Sequence, residues 1–348
     1  MSMFKKITGI SAIVLGSASF IDSMLTYVMV NRESFSLPKP LQILKQTFGL
    51  FNHMDVGIFS KSFLFYLLPI IFAFLFILGG VFYVSSKGKN YQLAVFGWAM
   101  ILLVKISFFS FYLIRLILDP IFQKRPEFDY LKEISALSNF KRPWFVVYFL
   151  LSILITYLAF RILKSHLPKK HLCIPAYHPS LSTNKGNRFI HSMLDGFMIM
   201  IICFPLAHNL ASLYGRVSLF ELRYMNEEHM AVLILVWQVC IIGFTLFYYI
   251  FMEGLFQRTP AKILTGTYVN ATGAADTNFG SAALRTLCRY IPFNAISFLF
   301  DGNWHDRVSQ TTVIDEDAQL GELESIPTNR PVIRKKSKSS YHRGFGEY

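Results

Sequence analysis

Long apolar runs separated by short polar segments dominate this chain. A membrane-crossing α-helix needs about 20 mostly apolar residues. Stretches of that kind occupy residues 7–30, 63–84, 93–118, 144–163, 189–212 and 231–252. The pattern therefore predicts an all-α, membrane-embedded protein with about six transmembrane helices.

The first apolar run has two interpretations. Lys5 and Lys6 precede a short apolar stretch, and the Ser-Ala-Ser at residues 17–19 resembles a signal-peptide cleavage site. The apolar character continues to residue 30, which favours a helix that is retained in the protein. Both interpretations place the residues that follow on the outer side.

Two further segments predict shorter elements in the second half of the chain. Residues 281–300 carry Arg285 and Arg289, and only residues 290–300 are predominantly apolar. This stretch is too short to cross a bilayer as a helix, so we expect a re-entrant or interfacial segment. Residues 263–269, followed by a turn at Thr272 and Gly273, predict a short cytoplasmic β-hairpin.

Composition supports a membrane protein and gives its orientation. Hydrophobic residues make up 53% of the chain and charged residues only 16%, so the excess apolar surface must face the lipid bilayer. The net charge of +13 comes from Lys and Arg clusters between the apolar runs, which argues against nucleic-acid binding. The positive-inside rule predicts a multi-pass protein of the cell (cytoplasmic) membrane, with the N-terminus and the C-terminal tail in the cytoplasm.

The same pattern predicts four regions along the chain. The first is an N-terminal membrane region with four spans, and the second is a cytoplasmic linker. A second membrane domain and a charged tail follow, and the polar composition of the tail is typical of disorder. The predicted boundaries are 1–165, 166–187, 188–314 and 315–348.

Asp22, Lys105 and Asp195 are charged residues that lie away from the ends of predicted spans. Ionisable groups within the membrane are costly and are functional candidates by default. Asp195 fits either a proton- or cation-binding carboxylate or a structural residue that pins helices by hydrogen bonds. Asp22 and Lys105 lie at similar depth, so we expect them to form a pair, or to line a substrate path.

Neither metal binding nor enzymatic chemistry is predicted. The four cysteines fit no disulfide or zinc framework, and the linker residues His166, His171, Cys173 and His178 match no standard metal-ligand spacing. The chain contains no HExxH, GxSxG, Walker or dinucleotide-binding motif. We therefore expect a protein without a cofactor or resident metal that is not an enzyme.

The order of several motifs resembles one family of membrane proteins. Arg188 opens the fifth apolar run, Asp195 lies within it, Thr-Pro-Ala-Lys follows at 259–262, and Asp306 comes near the end. This arrangement resembles the RDD family, which is named for one Arg and two Asp, over about residues 188–314. The resemblance implies that Arg188, Asp195 and Asp306 are the name-giving residues, and that exchange of sodium ions for protons is one activity found in the family.

Two functions fit this sequence. The first is transport of a small cation or proton through a charge network of Arg188, Asp195 and Asp306, with Glu253, Asp22 and Lys105 as secondary candidates. The second is a non-catalytic membrane scaffold or assembly factor that holds a membrane-protein partner through its cytoplasmic hairpin and tail. In both, we expect Arg188 and Asp306 to pair and to fasten the re-entrant segment to the fifth helix.

Overall fold

Long helices account for most of the structure. The computed structural model describes residues 3–31, 63–124, 143–167, 183–215, 227–271, 279–290 and 304–316. The long helices are α1 (Met3–Asn31), α2 (Phe63–Ser85), α3 (Gln92–Phe122), α4 (Pro143–Ser165), α5 (Lys185–Gly215) and α6 (Glu227–Phe256).

Five of these helices are long and apolar enough to cross a membrane. The candidate spans within the described residues are Lys5–Leu25, Leu67–Ser85, Gln92–Phe122, Phe145–Ser165 and Trp237–Phe256. They correspond to five of the six apolar runs, so the prediction of a multi-pass helical membrane protein is confirmed. Helix α5 coincides with the remaining run, at residues 189–212, but is not among the five.

Apolar side chains cover the outer surface of these helices. Val14, Leu113, Leu154 and Val239 are each about 60% exposed, and they belong to four different helices. Such exposure would be unfavourable in water but is neutral against hydrocarbon, because lipid tails are as apolar as these side chains. The exposed surface is therefore suited to lipid.

The first four helices form one packed bundle. Helix α1 lies along α2, α2 packs on α3, and α3 packs on α4. Phe76 of α2 meets Trp98 of α3 edge-to-face with ring centroids 5.3 Å apart, and a Cβ on Gly97 would lie 2.2 Å from the Phe76 ring. Close approach of α2 to α3 at this point therefore requires glycine.

Short elements follow α6 and complete the second half of the chain. They are α7 (Pro260–Leu264), β1 (Thr267–Ala271), α8 (Phe279–Arg289), α9 (Trp304–Val308) and β2 (Thr311–Asp315). Thr259 is the N-cap of α7 and accepts a hydrogen bond from the Lys262 backbone N–H, and Pro260 occupies the first helical position. These are favoured residues for a helix start, so the Thr-Pro-Ala-Lys sequence encodes a helical turn.

The small sheet corrects the predicted β-hairpin. Residues 260–264 are helical, and β1 pairs antiparallel with the distant β2, with Val269 opposite Val313. The local strand-turn-strand pairing is therefore wrong, because β1 finds its backbone partners some 40 residues later. The predicted turn residues Thr272 and Gly273 lie outside the described residues.

Helix α8 accounts for the first half of segment 281–300, and residues 291–300 lie outside the described residues. The outward face of α8 is apolar, with Leu284 at 42% and Leu287 at 56% exposure. Its inward face carries Arg285, which is 2% exposed, and α8 packs against α6. The apolar face of α8 points outward and its charged face points toward the protein interior. This arrangement explains why arginines occur in an apolar segment.

Candidate functional site: a buried network of charged side chains

The Glu253 carboxylate near the end of α6 contacts three basic side chains. Glu253 is 2% exposed and forms an ion pair with Lys262 of α7. The Nη2 atom of Arg289 lies 2.7 Å from the Glu253 carboxylate, and the Nε atom of Arg285 lies 3.6 Å from it. Three cations around one buried acid join α6, α7 and α8 in a single contact.

A second carboxylate continues the network on the other side of Arg285. Asp306 of α9 lies 2.8 Å from Arg285 Nη2 and 2.7 Å from Arg188 Nη1 at the start of α5. Arg285 Nη1 also donates to the Thr311 hydroxyl of β2 at 2.9 Å. The planar guanidinium of Arg285 therefore joins two acids and the sheet, a geometry that a lysine ammonium does not reproduce.

Burial and neighbouring charges act in opposite directions on these basic groups. Burial lowers the pKa of Lys262 to about 8, although the Glu253 carboxylate acts to raise it. Burial also opposes the charged form of Arg289, but Glu253 outweighs it and raises the pKa of Arg289. Both effects follow from placing charges in a low-dielectric interior beside a partner.

Asp195 of α5 is connected to this network through Lys262. Its side chain is buried, accepts a hydrogen bond from the Tyr248 hydroxyl at 2.7 Å, and also interacts with the Thr259 hydroxyl. Among the nearby cations, Lys262 has the largest electrostatic influence on Asp195. Lys262 thus pairs directly with Glu253 and also acts electrostatically on Asp195.

We call this set the charge network. Acidic and basic side chains alternate along it, and Arg289 joins it at Glu253. The order is Asp195, Lys262, Glu253, Arg285, Asp306 and Arg188. Its members come from α5, α6, α7, α8 and α9, which are five separate elements. The residues are Arg188, Asp195, Glu253, Lys262, Arg285, Arg289 and Asp306.

One comparison with known proteins matches part of this chain. Residues 183–302 match the model of the RDD family. We call these residues, which are similar to that family, the RDD region. The match includes Arg188 and Asp195 and ends shortly before Asp306. No curated protein and no solved structure matches the chain.

A further contact joins the RDD region to the first four helices. Arg258 pairs with Glu316 at 3.2 Å and donates to the Tyr91 hydroxyl at 3.0 Å, and Tyr91 in turn donates to Glu316. Burial raises the pKa of Tyr91 to about 12. Tyr91 precedes α3, so these three side chains fasten the start of the C-terminal tail to the membrane bundle.

The structure brings together four of the six candidates that the sequence provides. Arg188 pairs with Asp306 as expected, and Glu253 lies in the same network. Asp195 is close enough for Lys262 to act on it electrostatically.

The other two candidates, Asp22 and Lys105, lie elsewhere, and their predicted pairing is wrong. Among the described residues, no ion pair joins them, because Lys105 faces α4 and donates to Ser152 at 3.4 Å. Asp22 is buried in α1, a helix that packs mainly along α2. Similar depth in the bilayer did not place the two side chains on facing surfaces.

Several residues of the site escaped the sequence-based prediction. Arg285 and Arg289 were used only to predict a re-entrant or interfacial segment. Two arginines four residues apart in an apolar segment also indicate a helix face turned toward protein acids. His191 lies one turn before Asp195 and contacts the hydroxyls of Thr265 and Thr267, at 2.5 and 3.1 Å.

Of the linker histidines and cysteine named in the sequence analysis, the structure describes only His166. Its ring contacts the Tyr83 hydroxyl at 3.1 Å. Positions 171, 173 and 178 lie outside the described residues. Within the described part of the chain, no group of three or more His, Cys, Asp or Glu side chains is arranged to hold a metal ion.

Proposed function

We propose that this protein is a multi-pass protein of the cell membrane that transports a small cation or a proton, with Asp195 as the binding carboxylate. In this proposal α5 is the sixth crossing, and the N-terminus and tail lie in the cytoplasm. The observation that carries the proposal is that Lys262, which pairs with Glu253, is also the cation with the largest electrostatic influence on Asp195. No covalent chemistry is involved.

One shared ammonium between two acids allows charge compensation to be exchanged. Lys262 pairs with Glu253 in this structure, which leaves Asp195 with neutral hydrogen-bond donors as its nearest partners. An ionised carboxylate in that position is costly, so a proton or small cation at Asp195 would remove the cost. Loss of the bound cation would draw Lys262 toward Asp195.

The segment that carries Lys262 has features of a small movable unit. Helix α7 is only five residues long and lies between two residues with positive φ, Gln257 at +57° and Gly266 at +67°. A short helix between two such turns can change orientation with few dihedral changes. This supports a switch of Lys262 between its two acids.

Flux measurements in proteoliposomes test the proposal. Purified protein is reconstituted with an internal pH dye, and an imposed sodium gradient is expected to drive a pH change that Asp195→Asn reduces to the level of empty liposomes. Asp119→Asn is the matched control, because Asp119 is also a buried acid but pairs with Arg115 in α3, away from the charge network. Absence of flux in the wild type, or full flux in Asp195→Asn, would reject the proposal.

A second function, that of a non-catalytic scaffold, is favoured because the charge network is buried and connects five elements. Asp195 is 2% exposed, and the network ties five elements together as a structural clasp would. A scaffold needs hydrogen-bonding shape at Asp195 and no titration, so Asp195→Asn would leave a partner complex intact. It would hold that partner through the β1–β2 sheet and the C-terminal tail.

A further inference from the structure

Lys105 places a basic group in the middle of α3 with no access to solvent. The residue is 0% exposed. Its ammonium donates one long hydrogen bond of 3.4 Å to Ser152 Oγ of α4. It also lies over two aromatic rings, 5.1 Å from the Tyr148 centroid and 5.9 Å from the Phe108 centroid.

The other buried Lys and Arg side chains of the described residues each have a carboxylate partner, and Lys105 is the exception. The paired residues are Arg115 with Asp119, Arg188 and Arg285 with Asp306, Arg258 with Glu316, and Lys262 with Glu253. A buried charge without an opposite charge is strongly unfavourable. Within the described part of the chain, the partners of Lys105 are all neutral.

Aromatic side chains from α3 and α4 surround this position. Phe108 and Tyr112 of α3 pack against Tyr148 and Phe145 of α4, with ring centroids about 5 Å apart. This cluster is separate from the main apolar core of the bundle. It offers flat apolar faces next to one ammonium and one hydroxyl.

We infer that Lys105, Ser152 and the aromatic side chains around them form a binding site for a carboxylate that has an apolar body. The ammonium and the Ser152 hydroxyl would donate to the carboxylate, and the rings would contact the apolar part. The described contacts of Lys105 are with Ser152, Tyr148 and Phe108, and none of these residues belongs to the charge network. The inference is therefore independent of the transport proposal.

Equilibrium binding of radiolabelled benzoate to the full-length protein in nanodiscs tests this site. We expect saturable binding to the wild type that Lys105→Met weakens at least about 30-fold, because the charge-assisted contact is lost. Lys89→Met is the matched control, since Lys89 is exposed in the turn before α3 and should bind benzoate as the wild type does. Lys105→Arg keeps the charge and should retain measurable binding.

Other results would overturn the inference. Wild type without saturable benzoate binding, or Lys105→Met with unchanged binding, would mean that Lys105 is a structural residue. Equal displacement of benzoate by chloride or acetate would reject the apolar-body requirement. If Lys105→Met does not fold, Ser152→Ala replaces it, with weaker benzoate binding as the expected result and unchanged binding as the contrary one.

Discussion

Arg188 Nη1 lies 2.7 Å from Asp306 Oδ2, although 118 positions separate the two residues in the chain. The pair joins the start of α5 to the short helix α9, and Arg285 of α8 contacts the same carboxylate. Asp306 therefore connects α5, α8 and α9 from a position just C-terminal to the RDD region.

The first prediction concerns the cost of opening this pair. Arg188→Ala should lower the free energy of unfolding by about 3 kcal/mol, because it removes one partner of a buried ion pair. Asp306→Ala should cost more, since it leaves both Arg188 and Arg285 without that carboxylate. Thermal unfolding in detergent checks both, with the exposed Lys164→Ala as the control. Equal stability of all three variants would contradict the role of the pair.

A double-mutant cycle extends the same test. The Arg188→Ala/Asp306→Ala double variant should be less destabilised than the sum of the two single changes, with a coupling of about 0.5–3 kcal/mol. Additive effects would mean that the contact contributes little to stability.

The second prediction concerns the shape of Arg285. Arg285→Lys keeps the charge but cannot reach Asp306, Glu253 and Thr311 together, so it should lower the free energy of unfolding by about 1–3 kcal/mol. Arg161→Lys, an exposed change of the same type in α4, should have little effect. A stable Arg285→Lys variant would show that a point charge is sufficient at this position.

The third prediction is a pH dependence at His166. Burial lowers the pKa of His166, so the folded protein takes up the proton at a lower pH than the unfolded chain does. Stability from this residue is then fully present above the unfolded pKa of about 6.5 and is lost as the pH falls through the folded value. Unfolding temperatures measured from pH 7 to pH 5 should fall more steeply in the wild type than in His166→Gln. Identical slopes would exclude His166 as the source.

The fourth prediction concerns close packing of α2 on α3. A Cβ on Gly79 would lie 2.7 Å from the backbone nitrogen of Ala94, and a backbone atom cannot move aside as a side chain can. Gly79→Ala should therefore destabilise the protein by about 1–3 kcal/mol. Gly243→Ala in α6 meets no atom within 4 Å and should be neutral or stabilising. Thermal unfolding of both variants provides the comparison, and a neutral Gly79→Ala would contradict so close an approach of α2 to α3.

Hydropathy was sufficient for the long helices but not for the site. Apolar runs of about 20 residues identify membrane spans because the thickness of the hydrocarbon core sets the length of a crossing helix. Asp195 stood out because charges are rare inside such runs, and Arg188 stood out because it directly precedes the same run. The pairing of Asp22 with Lys105 was predicted from their similar depth in the bilayer. That prediction failed because depth along a helix does not determine which neighbour a side chain faces.

Contacts between distant segments explain the remaining differences. The pairing of β1 with β2 depends on a backbone partner some 40 residues away, so local turn signals at residues 272 and 273 were misleading. The acids that pair with Arg285 and Arg289 lie on α6 and α9, which are separate from α8 in the chain. A sequence pattern records the polarity of α8, but the acids that its arginines meet belong to other elements.

The pairing of β1 with β2 also sets the order in which this protein can be completed during synthesis. A nascent chain that has emerged only to residue 302 contains every position matched by the family model, yet it lacks Asp306, β2 and the glutamate that holds Arg258. Residues 304–316 must leave the ribosome before Arg188 and Arg285 can meet their shared acid. A chain that keeps all of these contacts must therefore extend at least to residue 316.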